Sequence, residues 1–232
     1  MRLRLAAPDA AAKCSGPKGP GGPANEKAKS RGHKPDKEET PMPNTYIVDI
    51  IVDLQNDFVD GALGTAEAQG IVGRAAATAA RAARDGHALF FTLDTHGPDY
   101  LTTREGRDLP VPHCIRGTAG HALAPAVAAV AEAGDPACPH KQLVEKDTFG
   151  ARDLPGAVAA FLAAQGPGAA VEKFRVYGVC TDICVISNAL LLRAFYPETP
   201  IEILAACCAG VTPESHATAL KAMAACQCRI VE

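Results

Sequence analysis

The fold is indicated by Phe174-Arg175-Val176-Tyr177-Gly178-Val179, an apolar strand pattern that gives way to a helical pattern from Ile183 to Phe195. This junction places Cys184 near the start of the predicted helix. The first helical turn exposes unpaired backbone N–H groups and the positive end of the helix dipole, which favour a thiolate and lower the pKa of a cysteine. Cys184 is therefore a candidate nucleophile, with a buried core cysteine as the alternative interpretation.

Strand and helix patterns alternate along the rest of the chain. Residues 46–52 form a near-continuous β-branched run, typical of a strand buried on both faces of a parallel sheet, and residues 87–93 form another. Between them, an alanine-rich segment from Ala66 to Arg84 predicts a helix that Gly86 ends. The alternation predicts an α/β domain of three layers, with helices covering both faces of a mostly parallel, doubly wound sheet.

Further elements complete this pattern after a long loop rich in proline and glycine, which spans residues 95–120. Loops of this length inside a domain commonly carry function. A threonine N-cap at Thr212 and a proline at the first helical position predict another helix start. The other predicted helices and strands are helices at 120–133, 153–165 and 213–225, and strands at 142–145, 201–205 and 229–231.

The N-terminal segment differs in composition from the rest of the chain. Residues 1–43 are dominated by Gly, Pro, Lys, Ala and Glu, so we expect a disordered tail ahead of a single domain at residues 44–232. A transit peptide is the alternative, but the segment carries acidic residues and no apolar stripe. Met42, close to the start of the domain, is a second candidate for the first residue of the protein.

Net charge and cysteine content indicate which binding partners and which cellular compartment to expect. The 232 residues carry a net charge of −3 without a basic cluster, which argues against a nucleic-acid partner. Nine cysteines at irregular spacing without a secretory signal indicate reduced thiols and a cytoplasmic location. No apolar run approaches the ~18 residues of a membrane span, so we expect no membrane partner.

Polar residues follow several predicted strands at their carboxyl ends, where ligands bind in open α/β sheets. Asp53 and Cys184 both have this position, and a carboxylate beside a thiol can take its proton and later deliver it to a leaving amine. Asp49 is a second carboxylate of this type, but it lies in mid-strand, where an ionised group is costly unless paired. Lys146 would pair with Asp53 if it entered the same crevice, although most lysines are solvated.

The long loop adds a possible metal site. Asp94 and His96 lie two residues apart after a strand, and His113 comes from the same loop, so together they offer one oxygen and two nitrogen ligands. Catalytic Zn, Mn or Fe sites use such sets with room for water. Loop histidines are also common surface groups, and spacing does not fix the remaining ligands. Candidates for these further ligands are Asp99, Cys114 and His121.

Three motifs occur together in one order: V-D-L-Q-N-D-F at 52–58, H-C-I-R-G-T-A-G at 113–120 and G-V-C-T-D-I-C-V at 178–185. With the D-x-H at 94–96 and Lys146, they resemble the nicotinamidase branch of the isochorismatase-like cysteine hydrolases. The resemblance covers the chain from about Tyr46 to its end. It implies the three-layer fold of that superfamily.

The resemblance implies a role for each candidate residue. Cys184 would be the nucleophile, Asp53 the general base and acid, and Lys146 the third member of the triad. It also implies a cis peptide bond between Val179 and Cys180, which would turn the backbone N–H groups of Cys180 and Cys184 toward one oxyanion.

The same resemblance implies that Asp94, His96 and His113 bind a divalent transition metal, with Phe58 and Val179 at the substrate. Two family features are missing here. The chain has no tryptophan ahead of the H-C motif, where residues 109–112 read L-P-V-P, and Asp99 or Tyr100 stands where several nicotinamidases carry a further histidine.

We therefore expect a metal-assisted cysteine amidohydrolase that converts nicotinamide or a similar small amide to the acid and ammonia. One alternative is a metal-independent hydrolase of a ureido or carbamoyl amide, or of isochorismate. A non-catalytic binding protein on the same fold is the alternative from another class. The partner would be a small-molecule amide, and this fold also allows a homo-oligomer.

Overall fold

The centre of the fold is a parallel sheet in a computed structural model that describes residues 44–232. The predicted tail at 1–43 and Met42 lie outside the described residues. The sheet has six strands, and every pairing is parallel. The strands are β1 (Thr45–Val52), β2 (Ala88–Asp94), β3 (Lys141–Lys146), β4 (Ala170–Val179), β5 (Ile201–Ala209) and β6 (Arg229–Val231).

Seven α-helices connect the strands in the described part of the chain. They are α1 (Asn56–Val59), α2 (Ala66–Arg84), α3 (Arg104–Asp108), α4 (Pro125–Glu132), α5 (Leu154–Ala164), α6 (Ile186–Phe195) and α7 (Pro213–Ala225). A 3₁₀ turn at Tyr100–Thr102 precedes α3, and a π-helical turn at Thr181–Val185 leads into α6. Helix α2 packs on α4, and α6 packs on both α5 and α7.

The strand order is β3-β2-β1-β4-β5-β6. The chain therefore adds β2 and β3 on one side of β1, and then adds β4, β5 and β6 on the other side. At such a switch point the connections leave in opposite directions and open a crevice at the carboxyl ends of the strands. Asp53 directly follows β1, and the Cys180–Cys184 turn directly follows β4. The three-layer, doubly wound architecture is confirmed, and the sheet is wholly rather than mostly parallel.

Local sequence explains the two helices, α2 and α7, that match their predictions at both ends. Helix α2 begins after Thr65, whose side-chain hydroxyl accepts a hydrogen bond from the Ala68 N–H at 3.0 Å, and its inner face is built of alanines. These small side chains let α2 pack against the sheet, where it contacts β5 in particular. The same sequence logic is seen at α7, where Thr212 and Ser215 form a reciprocal capping box.

Gly178 is required at the end of β4 by the closeness of β1. Its φ is +133°, and a Cβ atom there would overlap the carbonyl oxygen of Val52. Glycine therefore allows the two central strands to meet just before the cysteine-bearing turn.

The strand that leads into Asp53 is buried over most of its length. From Val48 onward, β1 is almost completely buried, in line with its β-branched sequence.

Among the described helices, none is both long enough and apolar enough to cross a bilayer.

Candidate active site

Lys146, Asp53 and Cys184 meet at the switch point, although they come from three different strand ends. The Lys146 Nζ atom lies 2.8 Å from Asp53 Oδ2 and 3.5 Å from Cys184 Sγ. The side chains of Lys146 and Asp53 are 1% and 0% exposed. This arrangement brings together the three residues that the sequence suggested as a triad.

Thr92 fixes the orientation of the Asp53 carboxylate. Its hydroxyl donates a 2.6 Å hydrogen bond to Asp53 Oδ1, and both residues are fully buried. Oδ2, which faces Lys146, accepts no aligned hydrogen bond from the residues that the structure describes. Asp53 also has a positive φ of 49°, which turns the chain away from β1 into the V-D-L-Q-N-D-F motif. The Oδ2 atom therefore faces the same ammonium group that contacts the Cys184 sulfur.

The pKa of the Cys184 thiol is raised in the folded protein, contrary to the sequence prediction. Burial and the negative charge of Asp53 raise its pKa well above the usual value, and Lys146 offsets only part of that rise. The prediction of a lowered pKa considered only the helix start and was wrong. A raised pKa disfavours the free thiolate, so a nearby base is needed to activate the thiol.

Asp53 has the properties of that base. Burial raises its pKa, while the charge of Lys146 acts in the opposite direction. Burial also disfavours the charge on Lys146, but the neighbouring Asp53, Cys184 and Asp94 outweigh this and raise the pKa of Lys146 well above its usual value. Lys146 therefore remains an ammonium ion beside the carboxylate and the sulfur.

Several contacts hold the turn that carries Cys184. The Val179–Cys180 peptide bond is cis, as the family resemblance implied. The N–H groups of Ile183 and Val185 both donate to the Cys180 carbonyl oxygen, at 3.1 and 3.0 Å. The Asn188 side chain donates to the Cys184 carbonyl oxygen at 2.8 Å.

Helix α7 and the loop before it support the same turn from outside. Thr181 is fully buried, and its hydroxyl lies 2.8 Å from His216 Nδ1. Asp182 accepts a hydrogen bond from the Val211 N–H at 3.1 Å. The cysteine is therefore fixed by contacts on both sides of the turn.

A second cluster of polar side chains lies next to the triad. Asp94, His96, Glu105 and His113 each contribute one possible ligand atom, and these atoms all lie within 4.8 Å of one another. Asp94 Oδ2 is 2.9 Å from His96 Nε2 and 3.3 Å from His113 Nε2. Glu105 Oε1 lies 3.7 Å from His96 Nε2 and 3.8 Å from His113 Nε2.

This donor set fits a divalent transition metal. His113 Nδ1 lies 2.8 Å from the Val111 carbonyl oxygen, and donation there leaves the lone pair of Nε2 facing the cluster. Burial and the charge of Asp94 raise the pKa of Glu105, so a cation would relieve the repulsion between the two carboxylates. Two imidazoles with carboxylates are ligands that Zn and Fe(II) sites use.

Glu105 is the site residue that sequence reasoning missed. It lies on the five-residue helix α3 inside the long loop, which was predicted only as irregular structure. Asp99, Cys114 and His121 were the suggested extra ligands, but none belongs to the cluster. Tyr100 packs its ring against His96 at a centroid distance of 4.6 Å, and its hydroxyl donates to the Leu109 carbonyl oxygen at 2.9 Å.

The V-D-L-Q-N-D-F motif holds both halves of the site in place. The side chain of Gln55, which is fully buried, accepts from the Asp94 N–H at 2.7 Å and donates to the Asp94 carbonyl oxygen at 2.8 Å. Asp57 accepts a 2.7 Å hydrogen bond from the Cys114 N–H, next to His113. Alternate residues of one motif therefore supply a triad member and two anchors for the metal-binding loop.

Cys184 of the triad and three residues of the cluster, Asp94, Glu105 and His113, border one cavity of about 220 Å³. Phe58 lines it, with its ring 5.4 Å from that of His113, at the place predicted for an aromatic wall. Val179 is not among the lining residues and is 1% exposed in the core. The lining residues are Phe58, Leu63, Thr65, Asp94, Glu105, Leu109, His113, Phe149, Cys180, Ile183, Cys184 and Val211.

Solved structures with this fold include amidases. The pyrazinamidase/nicotinamidase of Streptococcus mutans UA159 has a TM-score of 0.67 at 26% identity, covering 80% of this chain and 99% of that one. A pyrazinamidase of Pyrococcus horikoshii, solved in complex with zinc, gives 0.63 at 24% identity, with 80% and 98% covered. The N-carbamoylsarcosine amidase of Thermoplasma acidophilum gives 0.61 at 20% identity, with 80% and 95% covered.

Sequence comparison identifies the family directly. No curated protein matches the sequence significantly. The profile described as Isochorismatase domain matches residues 47–232, which is most of the chain and includes every residue of the triad and the cluster. The chain therefore belongs to the isochorismatase family of hydrolases.

Proposed function

We propose that this protein is a metal-assisted cysteine amidohydrolase that converts nicotinamide, or a similarly small neutral amide, to its acid and ammonia. The observation that carries the proposal is the double contact of Asp94. Its Oδ1 lies 2.9 Å from the Nζ atom of Lys146, and its Oδ2 faces His96 and His113. One carboxylate thus joins the triad to the metal-binding cluster at the edge of a single cavity.

Acylation begins with proton transfer from the Cys184 thiol to Asp53. The sulfur attacks the amide carbonyl carbon, and the carbonyl oxygen becomes an oxyanion held by the backbone N–H groups of Cys180 and Cys184. When the oxyanion collapses, the C–N bond breaks and Asp53 gives its proton to the leaving nitrogen, which departs as ammonia. The product of this half-reaction is a thioester on Cys184.

Deacylation uses the same groups in reverse. Asp53, now ionised, takes a proton from a water molecule, whose oxygen attacks the thioester carbon. The C–S bond then breaks, the acid is released, and Asp53 returns its proton to the Cys184 sulfur. Lys146 remains charged throughout and stabilises the ionised forms of both neighbours.

The four clustered side chains would hold the metal beside the reacting groups. A divalent transition metal, Zn, Mn or Fe, would supply a Lewis acid that binds a ring nitrogen or water at the edge of the cavity. The chain itself contributes the orientation of His113 through Val111 and of Asp94 through Gln55.

The charge of the cavity favours a neutral substrate. Two lining residues, Asp94 and Glu105, are acidic, and Lys146 beside the thiol is already paired with Asp53 and Asp94. Isochorismate and carbamoyl amino acids carry carboxylates, and none of the described residues that line the cavity is a lysine or an arginine that could bind one. A non-catalytic binding protein would not need a lysine, a carboxylate and a thiol brought together in a buried site at the cost of their desolvation.

Product release tests this proposal, measured as ammonia from the amides and as pyruvate from isochorismate, which contains no nitrogen. We expect the protein purified without chelator to contain a transition metal and to hydrolyse nicotinamide or pyrazinamide faster than N-carbamoylsarcosine or isochorismate. His113→Ala should lose the metal, whereas His140→Ala, which alters a histidine outside the cavity, should retain it. Preferred hydrolysis of a carboxylate-bearing substrate, with no dependence on metal, would favour the alternative of a metal-independent hydrolase of carbamoyl amides or isochorismate.

A further inference from the structure

Three large apolar side chains surround the mouth of the candidate active site. Leu109, Phe149 and Val211 are 38%, 49% and 48% exposed, and all three line the same cavity. They come from three separate loops, after α3, β3 and β5. Exposed apolar side chains that converge on one cavity commonly mark a ligand site, whereas single scattered ones need no explanation.

The cavity continues outward as an open groove of about 680 Å³. Leu109, Phe149, Ile183 and Glu105 line both spaces, so the groove begins where the reaction cavity ends. The cavity of about 220 Å³ is by itself smaller than most ligand pockets, which start near ~300 Å³. Together, the cavity and the groove have a volume within the usual range for ligand pockets.

Charged residues along the groove are paired with other protein groups. The Arg104 Nε atom donates to Asp108 at 2.8 Å, and Asp147 accepts from Arg152 at 2.6 Å. Glu105 belongs to the metal-binding cluster. The apolar side chains are therefore the part of the groove with the most to gain from a ligand, because burying their surface is favourable.

We propose that the preferred substrate is a neutral amide whose acyl ring carries an apolar extension, so that nicotinamide itself is turned over but is not the best substrate. Leu109 and Phe149 bind that extension, and the amide carbon lies at Cys184. This inference rests on the proposed function, and it assigns the two side chains a role in specificity.

A substrate series tests the inference. The probes are nicotinamide and nicotinamides with methyl, propyl or phenyl groups at the 5 or 6 position of the ring. We expect kcat/KM to rise about twofold to fourfold for each methylene that enters the groove. The quantity to compare is the ratio of kcat/KM for the propyl amide to that for nicotinamide, because loss of folded protein cancels in it.

Two matched variants show which side chains cause the gain in kcat/KM with the apolar extension. Leu109→Ser and Leu190→Ser change the same residue type at nearly the same exposure, 38% and 37%, but Leu190 lies on α6 and does not line the cavity or the groove. We expect Leu109→Ser to lower the propyl ratio about tenfold and Leu190→Ser to leave it unchanged. Phe149→Ser should act like Leu109→Ser.

Equal ratios in the two leucine variants, or no gain with chain length, would overturn the inference while leaving nicotinamide hydrolysis and the proposed function intact. If no amide is turned over, the proposed function fails, and calorimetric binding of the same series to Cys184→Ala still decides the inference. Affinity that does not rise with the apolar extension would refute it. A change of oligomeric state in Leu109→Ser alone would assign these side chains to a contact between chains, and would also refute it.

Discussion

The ammonium group of Lys146 lies 2.8 Å from the carboxylate of Asp53, and both side chains are almost completely buried. Breaking a buried ion pair by removing one partner leaves the other charge without compensation. We therefore expect Lys146→Met to lower the free energy of unfolding by about 3 kcal/mol and kcat by at least about a hundredfold. Lys173→Met, which removes a lysine paired with Glu202 nearer the surface, is the control.

The acidic limb of the pH profile should move in Lys146→Met. Lys146 lowers the pKa of Asp53, so its removal raises that pKa further. Since Asp53 must be ionised to act as a base, the limb of kcat/KM on the acid side should shift to higher pH. A shift to lower pH would contradict the role of Asp53 as base.

The thiol of Cys184 should react slowly with iodoacetamide at neutral pH and faster as the pH rises, because burial and Asp53 raise its pKa. Asp53→Asn removes one of these causes and should lower the pH at which alkylation becomes rapid, while it abolishes turnover. Because unfolding would also expose the buried thiol and abolish hydrolysis, the thermal unfolding of Asp53→Asn must match that of the parent protein. Tryptic mapping of the alkylated residue checks that the rate measured belongs to Cys184.

Thr92 should matter through its hydroxyl group alone. Its 2.6 Å hydrogen bond orients Asp53, and a hydrogen bond to a charged group contributes about 1.5–3 kcal/mol. We expect Thr92→Val to lower kcat about tenfold or more with little change in KM, and Thr92→Ser to restore most of it. Equal activity of the Val and Ser variants would show that shape, not the hydrogen bond, is what matters.

Glu105 should contribute to metal binding through its charge. Glu105→Gln keeps the volume but removes the anion, so we expect metal affinity to fall at least about tenfold. Asp108→Asn, which changes an exposed acid on the same helix outside the cluster, should bind metal as the parent does. Metal content after dialysis against a weak chelator distinguishes the two variants.

Local sequence patterns predicted the helices and strands whose ends are set by neighbouring residues. Helix α2 lies where its alanine pattern and Gly86 placed it, and β1, β2 and β4 deliver Asp53, Asp94 and Cys184 to one crevice as the strand-end rule predicts. Strand β5 extends four residues beyond its predicted end, to Ala209, because its last residues pair with the end of β4, a long-range contact that the local sequence pattern does not indicate.

The properties that escaped prediction depend on distant contacts. Glu105 reaches the cluster because the long loop is anchored by Gln55 and Asp57, which lie about 40–60 residues away in the chain. The raised pKa of Cys184 likewise comes from burial and from Asp53, not from its place on a helix. A cytoplasmic location and the disordered tail at 1–43 remain predictions.

Acid-quenched mass spectrometry during turnover of nicotinamide tests the central claim most directly, because Cys180 and Cys184 both line the cavity. The mechanism predicts a transient increase equal to the mass of the acyl group, localised by fragmentation to Cys184. The adduct and ammonia release should both be lost in Cys184→Ala. An adduct on Cys180, or ammonia release that persists in Cys184→Ala, would contradict the account.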